Sequence, residues 1–109
     1  GHAARPLAGL RAVCELATRH QDAFDAGALR SSGPPGGYLG RWEGDEIGIL
    51  PRVLDDWLAR AGYDAGIRAR WHERGWVERR GRDWTVKRQV GTRRVRLLVL
   101  TPEAVAVGF

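Results

Sequence analysis

Residues 67–100 read IRARWHERGWVERRGRDWTVKRQVGTRRVRLLVL, and this stretch decides how the rest of the 109-residue chain is interpreted. An arginine-rich run typical of a short helix continues, almost without a linker, into a pattern typical of β-strands. Eleven of the eighteen lysines and arginines fall here with only three acids, a net charge of +8. The remaining residues hold seven bases and ten acids, a net charge of −3. The overall charge of +5 therefore conceals one strongly cationic part, to which a polyanion would be drawn.

The second half of this stretch has the period of two that is typical of half-buried strands. Residues 84–90 and 93–100 each alternate apolar with polar side chains, and a further strand is predicted over 76–79. Turns are predicted at 80–82 and at Gly91-Thr92, where glycine interrupts the alternation. These residues therefore predict a basic β-hairpin.

Two helices are predicted immediately before the hairpin. Apolar residues spaced by three and four predict an amphipathic helix that begins near Leu50 and ends before Gly62. A second helix is predicted over 65–74, with Asp64 as its N-cap residue. Only the three residues 62–64 connect them. Two helices joined this tightly, the second of them basic, indicate a helix-turn-helix.

The first third of the chain is predicted to hold one more helix and a short β segment. Apolar spacing predicts a helix from about 6 to 25, with Pro6 at its first position and Gly27 as its stop. Residues 31–37 are serine, glycine and proline, which predicts a flexible linker. Residues 38–49 predict a small hairpin or, because glycines weaken it, a single strand with a loop.

This order predicts an α+β fold, a winged helix-turn-helix with three helices, a C-terminal β-hairpin wing and a short early strand. The predicted organisation is an N-terminal helix within 1–30, a linker at 31–37, the winged-helix domain at 38–102 and a tail at 103–109. The apolar tail either packs back or docks on another part of the protein. The absence of methionine, and a Gly1-His2 start that resembles a tag scar, indicate a piece of a longer protein.

The hypothesis of a winged helix makes the basic side chains candidates for contact with DNA. The candidates on the helix are Arg68, Arg70, His72 and Arg74, with arginines that could bind guanine edges in a major groove. The candidates on the wing are Arg79, Arg80 and Arg82 around its expected tip and Lys87, Arg88, Arg93 and Arg94 around its expected base, where they suit phosphates. The alternatives are a solvated helix face supported by pairs such as Asp64–Arg68, and an edge strand protected by charge.

Other classes of function receive less support from the sequence. There is no phosphate-binding loop, no serine-histidine-aspartate set and no metal pattern, since Cys14 is alone and three histidines are scattered. We therefore expect no enzyme activity, no cofactor and no metal, and a cytoplasmic protein without a membrane span. Most of the five tryptophans fit apolar faces, but Trp42 lies outside them and could stack on single-stranded bases.

Residues 37–100 also carry a set of short motifs that resemble a known group of proteins. The matching residues are Gly37-Tyr38-Leu39-Gly40, Ile49-Leu50-Pro51, Leu54, Leu58, Gly62-Tyr63-Asp64, Glu73-Arg74-Gly75-Trp76-Val77, Lys87-Arg88, Gly91 and Arg94-Val95-Arg96, with Asp22-Ala23-Phe24 upstream. They resemble the C-terminal region of helicase-like proteins, with cores similar to superfamily 3 ATPases, from phages, plasmids and genomic islands. The resemblance implies a winged-helix accessory domain of a DNA-replication ATPase. The many arginines, alanines and glycines and the single lysine indicate a bacterial source. Binding to DNA and docking on a parent ATPase are the two roles that we expect of such a domain. The ATPase motifs themselves are absent, so no activity is carried over.

Overall fold

The computed structural model describes residues 5–26, 37–64 and 66–109, which form four α-helices and a five-stranded sheet. The helices are α1 Pro6–Arg19, α2 Pro51–Arg60, α3 Gly66–Glu73 and α4 Pro102–Gly108. The strands are β1 Phe24–Asp25, β2 Gly40–Glu43, β3 Glu46–Ile49, β4 Val86–Val90 and β5 Arg93–Leu100. The predicted α+β class is confirmed. The predicted number of three helices is wrong, because the tail forms a fourth.

The strands lie in the order β1-β2-β3-β5-β4, with β1 parallel to β2 and the other neighbours antiparallel. The sheet curls strongly, so that its two ends approach each other. Arg41 on β2 donates from Nη1 to the main-chain oxygen of Gln89 on β4 at 2.8 Å, although two strands lie between them in the sheet. The curl gives the sheet a concave face and an opposite face, which the helices cover.

Each face of the sheet has its own apolar cluster. On the helix side, Ile47 and Ile49 of β3 and Leu98 and Leu100 of β5 pack with buried residues of the helices. The buried helix residues of this cluster are Leu10, Val13, Cys14, Ala17, Leu54, Trp57, Leu58, Ile67, Trp71 and Ala104. A smaller cluster, Val86, Val90, Leu97 and Val99, lies on the concave face. The helix-side cluster is the main core. Removal of its apolar side chains from water is the dominant favourable contribution to folding.

The first helix is shorter than predicted. It ends at Arg19, and a 3₁₀ turn over Gln21–Ala23 leads into β1. Phe24 still reaches the core, but from an extended strand in which its ring contacts Trp42 and Trp57. Phe24 lies seven residues after Ala17, a spacing that fits one face of a helix. That spacing could not distinguish a buried Phe24 on a helix from a buried Phe24 on a strand. The predicted stop at Gly27 and most of the predicted linker 31–37 lie outside the described residues.

The predicted pair of helices α2 and α3 is confirmed. Gly62 follows α2 with φ at +87°, the left-handed conformation that ends a helix well. Asp64 caps the entry to α3, since its Oδ1 accepts from the N–H of Gly66 at 2.8 Å. Trp71 fixes α3 against α1, because its ring N–H donates to the carbonyl of Pro6 at 2.9 Å and its side chain is fully buried.

The predicted hairpin over 38–49 is confirmed as β2 and β3, whereas the predicted strand over 76–79 is wrong. Val77 makes a single bridge with Leu100, and the N–H of Glu78 donates to Val99. The chain then leaves β5 because a tight turn begins, in which Arg80 and Asp83 exchange both main-chain hydrogen bonds at 2.9 Å. Pairing with the same edge of β5 resumes at β4.

The tail packs back as α4, which is one of the two outcomes that the sequence left open. Thr101 caps the helix, its hydroxyl oxygen accepting from the N–H of Ala104. Gly108 lies directly against Cys14 of α1, a contact that leaves no room for a side chain. Burial at this contact raises the pKa of the Cys14 thiol to about 11.

Candidate nucleic-acid interface

A ladder of polar and basic residues occupies one face of the β4–β5 hairpin. Lys87 lies directly opposite Arg96, and Gln89 directly opposite Arg94. All four side chains are exposed. We call these four residues the basic ladder. Because alternate residues of a strand share a face, the ladder continues the face of Leu98 and Leu100, past the end of the helical cover.

The ladder is poorly compensated by acids. Within the described residues, neither Lys87 nor Arg94 has a carboxylate within 4.0 Å, and Arg96 reaches only Asp83 at 3.9 Å. Cations directly opposite each other on a sheet destabilise it. The arrangement of Lys87 and Arg96 is therefore unfavourable for folding alone and suited to an anion that lies across both strands.

The turn of this hairpin is tied down to the other end of the sheet. Gly91 donates its N–H to Oδ2 of Asp25 at 2.8 Å, and the ring of Tyr38 lies against its α-carbon. With φ at +61° in Gly91 and no positive φ in Thr92, the two-residue turn fits type II′. The tip of the hairpin is therefore held by β1 and by the chain before β2.

The positions of the wing candidates also differ from the prediction. The tip of the hairpin is Gly91-Thr92, so Arg93 and Arg94 lie next to the tip. The sequence had predicted that they lie at the base of the wing. Arg79, Arg80 and Arg82 belong instead to the turn that precedes β4. The sequence pattern misplaced them because it treated residues 76–79 as the first strand of the wing.

Within that preceding turn the three arginines have different surroundings. Arg79 lies over the ring of Trp84 at 5.0 Å and donates from Nε to the carbonyl of Gly81. Arg80 pairs with Glu78 at 3.3 Å. Arg82 is exposed and has no partner among the described residues. The turn therefore adds cationic charge next to the ladder, of which Arg82 is the least engaged.

Arg68 of α3 is held by a neighbouring helix. Its Nη1 lies 2.9 and 3.2 Å from the two carboxylate oxygens of Asp55 on α2, and its side chain is 23% exposed. The local pair expected between Asp64 and Arg68 does not form, since Asp64 caps α3. Arg68 therefore connects α2 to α3 and does not project freely.

The other candidates on α3 are also engaged with protein groups. The ring of His72 stacks on Trp84, with centroids 3.9 Å apart and planes 3° from parallel. Arg70 pairs with Glu73 at 3.3 Å, and Arg74 lies 5.3 Å over the ring of Trp76. Burial lowers the pKa of His72 and the charge of Arg68 lowers it further, which favours neutral imidazole.

Arg88 lies on the concave face, apart from the ladder. Its Nη2 is 3.4 Å from Glu78 and 3.9 Å from Glu46. With Arg41 and Glu43 it lines an open groove of about 470 Å³. Because carboxylates balance the guanidinium groups there, this groove does not offer the excess positive charge of the ladder.

The sequence prediction omitted Arg96 from the candidates, although its charge was counted. Its position was detectable, because 94 and 96 alternate in register with 87 and 89 once the two-residue turn is fixed. Trp42, expected to be available for bases, is half-buried and contacts the rings of Phe24 and Phe109. Core packing accounts for it.

Other kinds of site find no support in the structure. Among residues 5–26, 37–64 and 66–109, no group of three or more His, Cys, Asp or Glu side chains is placed to hold a metal ion. Nor does any helix in these ranges have the length and apolar character needed to cross a membrane. Comparisons with family models, curated proteins and solved structures find no match to the chain.

Proposed function

We propose that this chain is a DNA-binding domain that holds duplex DNA on the basic ladder, with α3 beside it. The single observation that carries the proposal is the placement of Lys87 directly opposite Arg96 on an exposed face. A phosphate backbone supplies the anions that the described part of the chain lacks there. Release of condensed counterions from the DNA drives such binding.

The arrangement of elements supports a winged-helix version of this proposal. α2 and α3 form the tight helical pair, β3 joins the sheet beside β5, and the β4–β5 hairpin follows α3 in the chain. His72 of α3 stacks on Trp84, two residues before β4, so the end of α3 lies next to the start of the hairpin and one ligand could contact both. In this proposal, α4 is an addition to the three-helix pattern.

The proposed context is a cytoplasmic accessory domain of a replication helicase or ATPase from a bacterial mobile element. It rests on the resemblance of residues 37–100 to the C-terminal regions of such proteins. The domain itself would not be an enzyme and would need no cofactor. Docking on the parent ATPase is a second candidate role, favoured by Val107 and Phe109 of the tail, which are 39% and 59% exposed.

The decisive experiment titrates the 109-residue chain with a labelled duplex over a series of salt concentrations, with anisotropy as the readout. We expect binding that weakens steeply with salt. Joint replacement of Lys87, Arg94 and Arg96 by glutamine should lower the magnitude of the log–log slope by about 2.7, since each phosphate contact contributes roughly 0.9.

A matched control removes the same number of charges elsewhere. Arg11, Arg19 and Arg60 are exposed on α1 and α2, away from the hairpin, and their joint replacement by glutamine gives the same change in net charge. The control should keep a slope close to that of the parent chain. Equal losses in both variants would show non-specific attraction to net charge, and no binding at low salt would refute the proposal.

A further inference from the structure

We infer that the duplex is held by its sugar-phosphate backbone and that base sequence is not read. This inference rests on the proposed function and names the part of the duplex that the protein binds, the sugar-phosphate backbone. It departs from the expectation that Arg68, Arg70 and Arg74 bind guanine edges. Three separate features of the structure support it.

The first feature is the state of the donors on α3. A bidentate contact with guanine needs a guanidinium group that is free to align both nitrogens with the base. Arg68 is half-buried and its Nη1 is bound by both carboxylate oxygens of Asp55. The Nε2 atom of His72 is buried without a hydrogen-bond partner in the described residues, and its ring is fixed on Trp84.

The two remaining arginines predicted for this helix are exposed, Arg70 in its last turn and Arg74 just after its end. Arg70 pairs with Glu73, and Arg74 follows the last residue of the helix and covers Trp76. Both guanidinium groups are therefore engaged with protein groups, Arg70 through one ion pair at 3.3 Å and Arg74 over an indole ring. A phosphate, in contrast, accepts from any direction, so these side chains can position DNA as they stand.

The second feature is the geometry of the ladder. Lys87 and Arg96 form one rung, and Gln89 and Arg94 form the next, about 6.8 Å further along the strands at roughly 3.4 Å per residue. The four side chains are exposed on one face of the two strands. Such a surface can follow a row of phosphates, and three of its four side chains, Lys87, Arg94 and Arg96, carry the positive charge that phosphates require.

The third feature is the attachment of the hairpin turn. A wing that reads a minor groove must place its tip between the two backbones. Here the N–H of Gly91 is bound by Asp25, and the carbonyl of Gln89 is bound by Arg41. The ring of Tyr38 also packs against Gly91. The tip is thus held at the far end of the curled sheet and is not free to insert.

The test is a selection from a pool of duplexes of equal length with randomised sequence, followed by titration of single members. We expect no enriched motif and affinities that agree within about threefold, because a reader of bases loses roughly fivefold to more than a hundredfold for each wrong pair. Replacement of Lys87, Arg94 and Arg96 by glutamine should weaken all members by the same factor.

The outcomes separate this inference from the proposed function. An enriched motif, whose preference disappears in Arg70→Gln or Arg74→Gln, would overturn the inference and leave DNA binding intact. Failure to bind any member at low salt would overturn both. A preference for single strands of the same sequences over duplexes would overturn the duplex assignment, while equal affinity among those strands would still fit backbone recognition.

Discussion

Lys87 and Arg96 face each other directly across the β4–β5 hairpin, two exposed cations in a position where opposite charges would stabilise the sheet. The same side chains extend the face of Leu98 and Leu100, which belong to the main core. One strand thus has a buried half that holds the helices and an exposed half with charge that folding does not require. This conflict between stability and charge is the strongest structural sign of a ligand.

Lys87→Glu tests that conflict. It places a carboxylate opposite Arg96, so we expect the free energy of unfolding to rise by about 0.2–1 kcal/mol, while DNA binding weakens. Urea unfolding and the duplex titration give the two values. Gln89→Glu is the companion variant, since it adds a carboxylate opposite Arg94 without removing a base. If Lys87→Glu destabilised the chain while Gln89→Glu stabilised it, repulsion across the first rung would be excluded.

The contact between Arg68 and Asp55 gives a second prediction. Asp55→Asn should lower the free energy of unfolding by up to about 1 kcal/mol, because the pair is only partly buried. It should also strengthen binding to duplex DNA, since Arg68 is released. Asp56→Asn is the matched control on the next residue, as Asp56 pairs with Arg60 on an exposed helix face. Equal gains in affinity for both variants would show a general charge effect and no restraint on Arg68.

Gly91 and Gly44 allow the restraint on the hairpin turn to be measured. Both have a left-handed backbone, with φ at +61° and +57°, but only Gly91 has a neighbour where a β-carbon would be, the ring of Tyr38. Gly44→Ala should cost about 1–2 kcal/mol from the backbone alone. Gly91→Ala should cost about 1–3 kcal/mol more, since the ring must move. Thermal or urea unfolding checks the difference; equal costs would mean that Tyr38 does not restrain the turn.

Cys14 should report on unfolding. Its thiol is buried against Gly108 of α4, and its pKa is raised to about 11 from the ordinary 9.0. We expect thiol reagents to modify it at neutral pH only through opening of the structure, at a rate that rises with urea. Rapid labelling of the native chain without urea would contradict the packing of α4 on α1.

The same thiol contributes to a loss of stability at alkaline pH. Its stabilising contribution is complete below pH 9.0, where the thiol is protonated in both states, and is lost as the pH rises toward 11, because only the unfolded chain releases the proton. Cys14→Ala should therefore show a shallower loss of stability between pH 9 and 11 than the parent chain. Parallel pH profiles for the two chains would contradict the raised pKa.

His72 predicts a change of the opposite sign at mildly acid pH. Its pKa lies below the ordinary 6.5, chiefly through burial. Its contribution is present above pH 6.5 and is lost as the pH falls through the lowered pKa, since the unfolded chain binds the proton first. His72→Phe keeps a flat ring against Trp84 and should flatten the stability profile in this range. An NMR titration of the imidazole that gave a pKa above 6.5 would exclude the mechanism.

The local patterns were sufficient for much of the fold. α2 and α3 follow from apolar spacing, Gly62 and Asp64, and the hairpins from alternation around turns, because these signals are carried by neighbours along the chain. The prediction of a strand over 76–79 was wrong because two segments pair with the same edge of β5. Val77 forms a single bridge with Leu100, and β4 occupies the rest of that edge. Phe24 was assigned to a helix because a periodic pattern records burial but not which partner covers a residue.

By itself, the sequence determined the α+β class, the two paired helices and the concentration of charge between residues 67 and 100. Only the tertiary structure decided which cations remain free. Asp55 binds Arg68 from 13 residues away, and Asp25 holds the turn at Gly91 from 66 residues away. Charge is a property of composition, whereas its availability to a ligand depends on which acids folding brings within a few ångströms. That is why, within the described residues, the predicted candidates Lys87 and Arg94 of the hairpin have no carboxylate within 4.0 Å, whereas Arg68 of α3 is paired with Asp55.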